Sequence, residues 1–383
     1  MRVYLDSNAT APLRPEARAA MLAVMDHAAN PSSIHVEGRN ARRAVDEARA
    51  AVAGFTGALP EHVTFTSGGT EAAGLAINGA LLAAAEEGRR FTRLIVSAVE
   101  HDCVLQAATR ASEMHPGLRL SHVGVDTSGV LRLADLEREL AEGKGRALVS
   151  VMAVNNETGV IQPVQQVAEL CRRYGAVFHC DAVQAAGKIA CRLDDLGADI
   201  MTLSAHKMGG PQGAGAMVRR ADIPVASLVR GGAQEFGLRA GTENVAAIAG
   251  FGAAIRALAT TPDQARMHDA LEARLMKSCP EARIFGAGAP RVGTTTCIAA
   301  PGVTAETLVI ALDLDGFSVS AGAACSSGRV TQSHVLAAMG VEPELARCAI
   351  RVSAGWHTQA ADLEAFAEAW TRIVSRARSR AAA

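Results

Sequence analysis

One pattern recurs along the chain: a short apolar run, a cluster of polar residues, then a stretch of helical character. Val63-Thr64-Phe65-Thr66 leads into Ser67-Gly68-Gly69-Thr70-Glu71 and a long Ala-rich helix. Arg93 to Ser97 ends at Glu100-His101-Asp102, and Ala147 to Val154 ends in Asn155-Asn156-Glu157-Thr158-Gly159. Ala176 to Asp181 ends in a carboxylate, with Gln184 three residues on. Asp199 to Leu203 runs into Ser204-Ala205-His206-Lys207. Apolar runs of this length, alternating with helices, predict an α/β fold: a mainly parallel sheet covered by helices. Ligands of such sheets bind along the rim where the strands end. The polar clusters are therefore expected at one rim.

The last third reads as a smaller α+β unit. Thr295 to Ala300, Phe317 to Ser320 and Ile350 to Ser353 are strand candidates, and Asp362 to Arg378 is a closing amphipathic helix. Thr260-Thr261-Pro262-Asp263 marks the expected boundary. A large domain over 13–259 and a small one made of 260–383 together with 1–12 are predicted.

Net charge is -1, from 38 basic and 39 acidic residues. That balance speaks against nucleic-acid or anionic-membrane partners. The start lacks the apolar run of a signal peptide, and charges interrupt every long apolar stretch, so a soluble, cytoplasmic protein is expected. None of the eight cysteines, at 103, 171, 180, 191, 279, 297, 325 and 348, has C-x-x-C spacing. Zinc and thioredoxin-type readings are therefore weak, and a disulfide framework is not expected.

Lys207 stands at the end of a buried strand. Burial depresses an amine's pKa, and a neutral amine attacks carbonyls. Ser204 and His206 beside it can donate hydrogen bonds to an anion, and the glycines at 209 and 210 let backbone come close. Taken alone, the stretch equally fits a surface lysine in a Gly-rich turn. The Gly69-Thr70 turn can cradle a phosphate at a helix N-terminus or be an ordinary strand–helix connection. His101 can face a ligand or cap a helix. Asp181 can pair with a protonated pyridine nitrogen or cap the turn after it. Cys325 is different. It lies in Ala321-Gly322-Ala323-Ala324-Cys325-Ser326-Ser327-Gly328, a loop of small residues that could swing a thiolate and makes a poor core site.

Together these motifs resemble the pyridoxal phosphate-dependent cysteine desulfurases of the NifS/IscS group, class V aminotransferase-like enzymes of PLP fold type I. The resemblance also takes in the run from Tyr4 to Thr10, Asn30 to His35, Gly241 to Val245 and Ser333 to Leu336. The motifs occur in the family's order over nearly the whole chain. The resemblance implies a pyridoxal 5'-phosphate cofactor held by Lys207. Asp181 would pair with the pyridine nitrogen, Gln184 would bond the ring hydroxyl and His101 would stack on the ring. Gly69, Thr70, Ser204 and His206 would hold the phosphate, with Thr242 of a neighbouring subunit in a homodimer. Asn156, also beside the cofactor, and Arg351 would bind the carboxylate of L-cysteine.

Lys207, His101 and Cys325 would be the catalytic residues, with the sulfur carried as a persulfide on Cys325 to an iron–sulfur scaffold or a thiolation relay. Transient iron–sulfur ligation by Cys325, its one implied metal role, comes from the same resemblance. Ser7, Ala153 and Gln212 depart from the family's usual residues. Other enzymes of the same cofactor fold, such as a selenocysteine lyase or an aminotransferase, need no loop thiol. A non-catalytic sulfur-delivery scaffold would bind no cofactor.

Overall fold

The computed structural model describes residues 2–27, 30–258, 266–321 and 332–382. The boundary stretch Thr260–Asp263 and the Cys325 loop lie outside the described residues. Thirteen strands are described: β1 (Val3–Tyr4), β2 (Val63–Thr66), β3 (Phe91–Ser97), β4 (Arg119–Val123), β5 (Arg146–Ser150), β6 (Val177–Asp181), β7 (Ile200–Ser204), β8 (Gly215–Arg219), β9 (Arg283–Phe285), β10 (Thr295–Ala299), β11 (Phe317–Ser318), β12 (Ser320–Ala321) and β13 (Ala349–Ser353).

The large sheet runs β2-β8-β7-β6-β5-β3-β4. Its β7-β6-β5-β3-β4 portion is parallel, as the sequence predicts, while β8 pairs antiparallel with both β7 and β2. Period-two alternation sends neighbouring side chains to opposite faces. Leu94, Leu148, Val177 and Ile200 enter one core, against the helices over 69–86 and Asp102–Met114. Ile95, Val149, Phe178 and Met201, each one residue further on, enter the other. The helices Val36–Thr56, Val164–Tyr174 and Val245–Leu258 cover that second face. Both faces are thus dry, which is why these strands are apolar runs without polar alternation.

A second sheet, β12-β13-β10-β9, is antiparallel. It shares a separate core with the helices Met267–Ser278, Ala305–Leu314 and Ala360–Ala382, in which Trp370 and Phe366 are fully buried. The N-terminal segment belongs to this layer: β1 pairs with β11, Asp6 bridges to Ser353, and Leu5 is buried in the same core. From there residues 8–11 cross to the rim of the large sheet, where the Asn8 and Ala9 carbonyls meet Lys207. Among the described residues, no helix is long and apolar enough to cross a membrane.

Candidate active site

β7 delivers Ser204 to the rim, and one tight helical turn, Ala205–Lys207, follows. The turn closes because Gly209 takes a left-handed φ of 84° and the Gly210 N–H donates to the Ala205 carbonyl at 2.9 Å. A Cβ on Gly210 would come within 2.9 Å of the Ala205 Cβ. Lys207 is thereby aimed under the N-terminal segment. Its Nζ donates to the carbonyls of Asn8 at 2.7 Å and Ala9 at 2.8 Å. His206 Nδ1 lies 3.1 Å from Thr10 Oγ1. Burial, with the Lys207 charge beside it, pulls that imidazole down to about 4, so His206 is neutral at pH 7.

Asp181 ends β6 and is buried. It does accept the Val183 N–H at 3.0 Å, the turn-capping role that the sequence allows. It is also the end of a hydrogen-bond chain. Ser150 Oγ meets His179 Nδ1 at 2.8 Å, His179 Nε2 meets Thr202 Oγ1 at 3.3 Å, and Thr202 Oγ1 donates to Asp181 Oδ1 at 3.3 Å. Burial holds His179 down to about 3, hence neutral. With its protons placed to serve that chain, every donor points toward the carboxylate. Burial nonetheless raises the Asp181 pKa, opposed by Val183, His101, Thr202 and Lys207. A cation set against it would keep it ionised.

His101 caps the helix Asp102–Met114, as one of its two readings anticipates. Its Nδ1 accepts the Cys103 N–H at 3.1 Å and lies 3.0 Å from Cys103 Sγ. Burial lowers its pKa, against the pull of Asp181. The residue that caps with Nδ1 also lines a cavity that it shares with Lys207.

The Ser67–Glu71 loop is fixed from outside. Glu71 Oε2 accepts the Ser67 N–H at 2.8 Å, and Glu71 Oε1 accepts from Arg239 Nε at 2.9 Å. A Cβ on Gly69 would stand 3.1 Å from Val183 Cγ2 and 3.3 Å from Ser204 Cβ, so glycine keeps this part of the wall open. On the far side, buried Arg351 of β13 donates to Asp6 Oδ1 at 2.8 Å and to the Asn156 carbonyl at 3.1 Å, and its Nε has no partner among the described residues.

A cavity of about 310 Å³ brings together Gly69, Thr70, His101, Asn156, Asp181, Gln184, Ser204, His206, Lys207 and Arg351. These are ten of the twelve residues that the sequence nominates. Thr242 stands apart, exposed, in a separate cavity of about 210 Å³ with Ser67 and Arg239. Cys325 lies outside the described residues. Sequence reasoning gives no role to Asn8 and Cys103, which line the same cavity, or to Lys188, which contacts its wall. Lys188 donates to Asn8 Oδ1 at 2.7 Å and to Gln184 Oε1 at 2.8 Å, and burial near Lys207 and Arg351 pulls it down to about 7.

The residues fit a pyridoxal phosphate. The open wall at Gly69 adjoins the hydroxyls of Thr70 and Ser204, a neutral imidazole and the first turn of a helix, which suit a phosphate. A buried carboxylate in want of a cation suits a pyridinium, and the Lys207 amine lines the same cavity.

Known proteins agree. The aminotransferase class-V family matches residues 3–366. A cysteine desulfurase of Cereibacter sphaeroides is 43% identical over 99% of this chain and 97% of its own. The crystal structure of a NifS-like protein from Rickettsia africae superimposes with a TM-score of 0.86 at 33% identity, covering 98% of this chain and 100% of that one. A structure of SspA in complex with cysteine gives 0.81 at 28% identity, covering 94% and 100%. The chain belongs to the aminotransferase class-V family, among its cysteine desulfurases.

Proposed function

We propose that this chain is a pyridoxal 5'-phosphate-dependent cysteine desulfurase that converts L-cysteine to L-alanine and leaves the sulfur on Cys325. The observation that carries this reading is the meeting of Lys207, Asp181 and Arg351 in one cavity. The bound cofactor supplies an electron sink for charge at the substrate Cα. Asp181 takes the pyridine nitrogen, Gln184 the ring oxygen and His101 a ring face. Gly69, Thr70, Ser204 and His206 take the phosphate. Arg351, with Asn156, orients the substrate carboxylate; a guanidinium fork suits that group.

Lys207 anchors the cofactor and then shuttles a proton at the substrate Cα. The Cys325 thiolate attacks the substrate sulfur. An S–S bond forms as the Cβ–S bond breaks, and Cβ keeps the electron pair and takes a proton, which gives alanine. No external oxidant is required. The sulfur then passes to an acceptor, an iron–sulfur scaffold or a thiolation relay, in the cytoplasm; in the former case Cys325 can also ligate iron in transit.

Thr242 serves the neighbouring subunit's phosphate in a homodimer. Its separation from the Lys207 cavity supports this, as does the exposure of Phe236, next in sequence to Glu235 of the Thr242 cavity. Residues 13–259 form the cofactor domain, and 260–383 with 1–12 the smaller one that carries the Cys325 loop. The separate core around Trp370 and Leu5 supports that division.

The test is to incubate the purified protein with cysteine, without reductant, and follow alanine and persulfide on Cys325. One alanine per persulfide is expected, with Cys325→Ser losing both. Undiminished sulfide release by Cys325→Ser would overturn the mechanism.

A further inference from the structure

Lys188 has no part in the chemistry above, yet its ammonium stands directly behind the cavity wall. It donates to Asn8 Oδ1 at 2.7 Å and to Gln184 Oε1 at 2.8 Å. Charged, Lys188 has three donors and no acceptor, and as the neutral amine that a pKa of about 7 allows it still has two N–H donors, one for each amide oxygen. Both amides must therefore turn their oxygens to Lys188, and both NH2 groups must face elsewhere. Gln184 Nε2 donates to the Asn8 carbonyl at 2.9 Å. Asn8 Nδ2 donates to the Asn156 carbonyl and to Thr295 Oγ1, each at 3.0 Å. The same Asn8 carbonyl receives Lys207 Nζ at 2.7 Å. Asn8 thus joins both lysines, Gln184 and the Asn156 loop, and Lys188 is the group that holds both amide oxygens.

We propose that Lys188 is a positioning residue: by holding the amide oxygens of Asn8 and Gln184, it keeps the Gln184 NH2 group turned toward the cofactor ring and the Asn8 carbonyl set against the Lys207 amine. This rests on the cofactor reading given above. Without the Lys188 donor, the single bond from Gln184 Nε2 to the Asn8 carbonyl is left to oppose a half-turn of the amide. That turn would present an oxygen where the ring oxygen needs a donor. Negative charge on the ring oxygen then loses a hydrogen bond, and the pH at which the bound cofactor's visible band titrates must move.

The experiment is a spectral pH titration of the holoenzyme, comparing wild type, Lys188→Met, Gln184→Leu and the double variant. Methionine keeps the length of the stem and removes the donor. The midpoint of Lys188→Met is expected to move by about one pH unit, the scale of one lost charge-assisted hydrogen bond. The direction should match that of Gln184→Leu, and the double variant should move no further than Gln184→Leu alone. Lys188→Arg, which still offers donors to both oxygens, should bring the midpoint back toward wild type. A Lys188→Met band that titrates as wild type, or shifts that add in full, would overturn the positioning role. If Lys188→Met does not fold, Lys188→Leu, which likewise removes the donor, is read by the same criteria. A wild-type protein without a Lys207-dependent visible band would overturn the cofactor reading itself, and this proposal with it.

Discussion

Glu157 is a carboxylate buried beside the cavity residue Asn156, with Ser333 Oγ donating to its Oε2 at 2.6 Å. Desolvation raises its carboxyl from 4.5 to about 7, against Ser333, His334 and Arg351, which favour the charged form. Between those pH values the folded protein holds a proton that the unfolded chain has released, so stability falls as pH rises from about 4.5 to about 7 and levels off above. Glu157→Gln keeps an acceptor for Ser333 and removes this slope. Relative to wild type it should gain stability across that window, by at most roughly 3 kcal/mol at 1.36 kcal/mol per unit. Urea unfolding midpoints measured from pH 4.5 to pH 8 check this, and parallel profiles for the two proteins would refute it. At this scale the sequence spoke clearly wherever a side chain closes a strand. Asp181, Ser204 and Lys207 all stand where the rim rule puts them. It was silent where a residue acts through another residue's amide or backbone. Lys188 and Asn8 gain meaning only once residues about 180 positions apart are in contact.

The strand–turn–helix unit at Gly69 depends on the neighbouring strand. Gly215 opens β8 between Thr66 of β2 and Ser204 of β7, and a Cβ there would lie 2.5 Å from the carbonyl carbon of Gly68. Both partners are backbone, so neither can swing aside. Gly215→Ala should push the Gly68-Gly69 loop out of place, cost about 1–3 kcal/mol as an overpacked contact, and weaken cofactor retention about tenfold, since 1.4 kcal/mol is a factor of ten in affinity. Gly74, inside the helix Gly69–Gly74 with open space around its Cβ position, is the contrast: Gly74→Ala should be neutral or stabilise by roughly 0.5–1 kcal/mol. Thermal melting and the visible absorbance that survives gel filtration read both, and equal behaviour of the two alanines would sink the argument. The elements themselves were legible from apolar runs bounded by polar clusters. The antiparallel sense of β8 was not taken from them, although the connection 205–214 is short for a parallel crossover. The run expected to extend to Val154 ends its ladder at Ser150. Beyond that point the backbone still follows β6, with the Val151 N–H on the His179 carbonyl at 3.1 Å and the Ala153 N–H on the Asp181 carbonyl at 2.9 Å, while the Met152 N–H goes to Glu100 Oε1 at 2.6 Å. Periodicity carries no record of such contacts.

The whole molecule raises the question of which chain completes which site. Thr242 is exposed and does not line the Lys207 cavity, and its surroundings are unusual for a free surface. Glu235 and Phe236 hold φ values of 48° and 56°, which non-glycine residues adopt at a cost, and Phe236 is 59% exposed. Arg49 secures this segment from below, pairing with Glu235 at 2.7 Å while its guanidinium lies 5.0 Å from the Phe236 ring centroid. A strained segment held this firmly, with an aromatic ring turned outward, suits a surface that a second copy covers. In a two-fold dimer each Thr242 would then reach its partner's phosphate site. Two inactive variants test this. Lys207→Ala lacks the anchoring amine, and Thr242→Glu sets a negative charge against the phosphate. If Thr242 serves the partner's site, unfolding and refolding an equal mixture forms heterodimers in which one site has its own Lys207 and a neighbour's Thr242, both intact. Half of the dimers are mixed and half of their sites are whole, so activity should return to about a quarter of the wild-type value. If Thr242 acts within its own chain, every site in the mixture stays broken, and no recovery of alanine formation would refute the shared site.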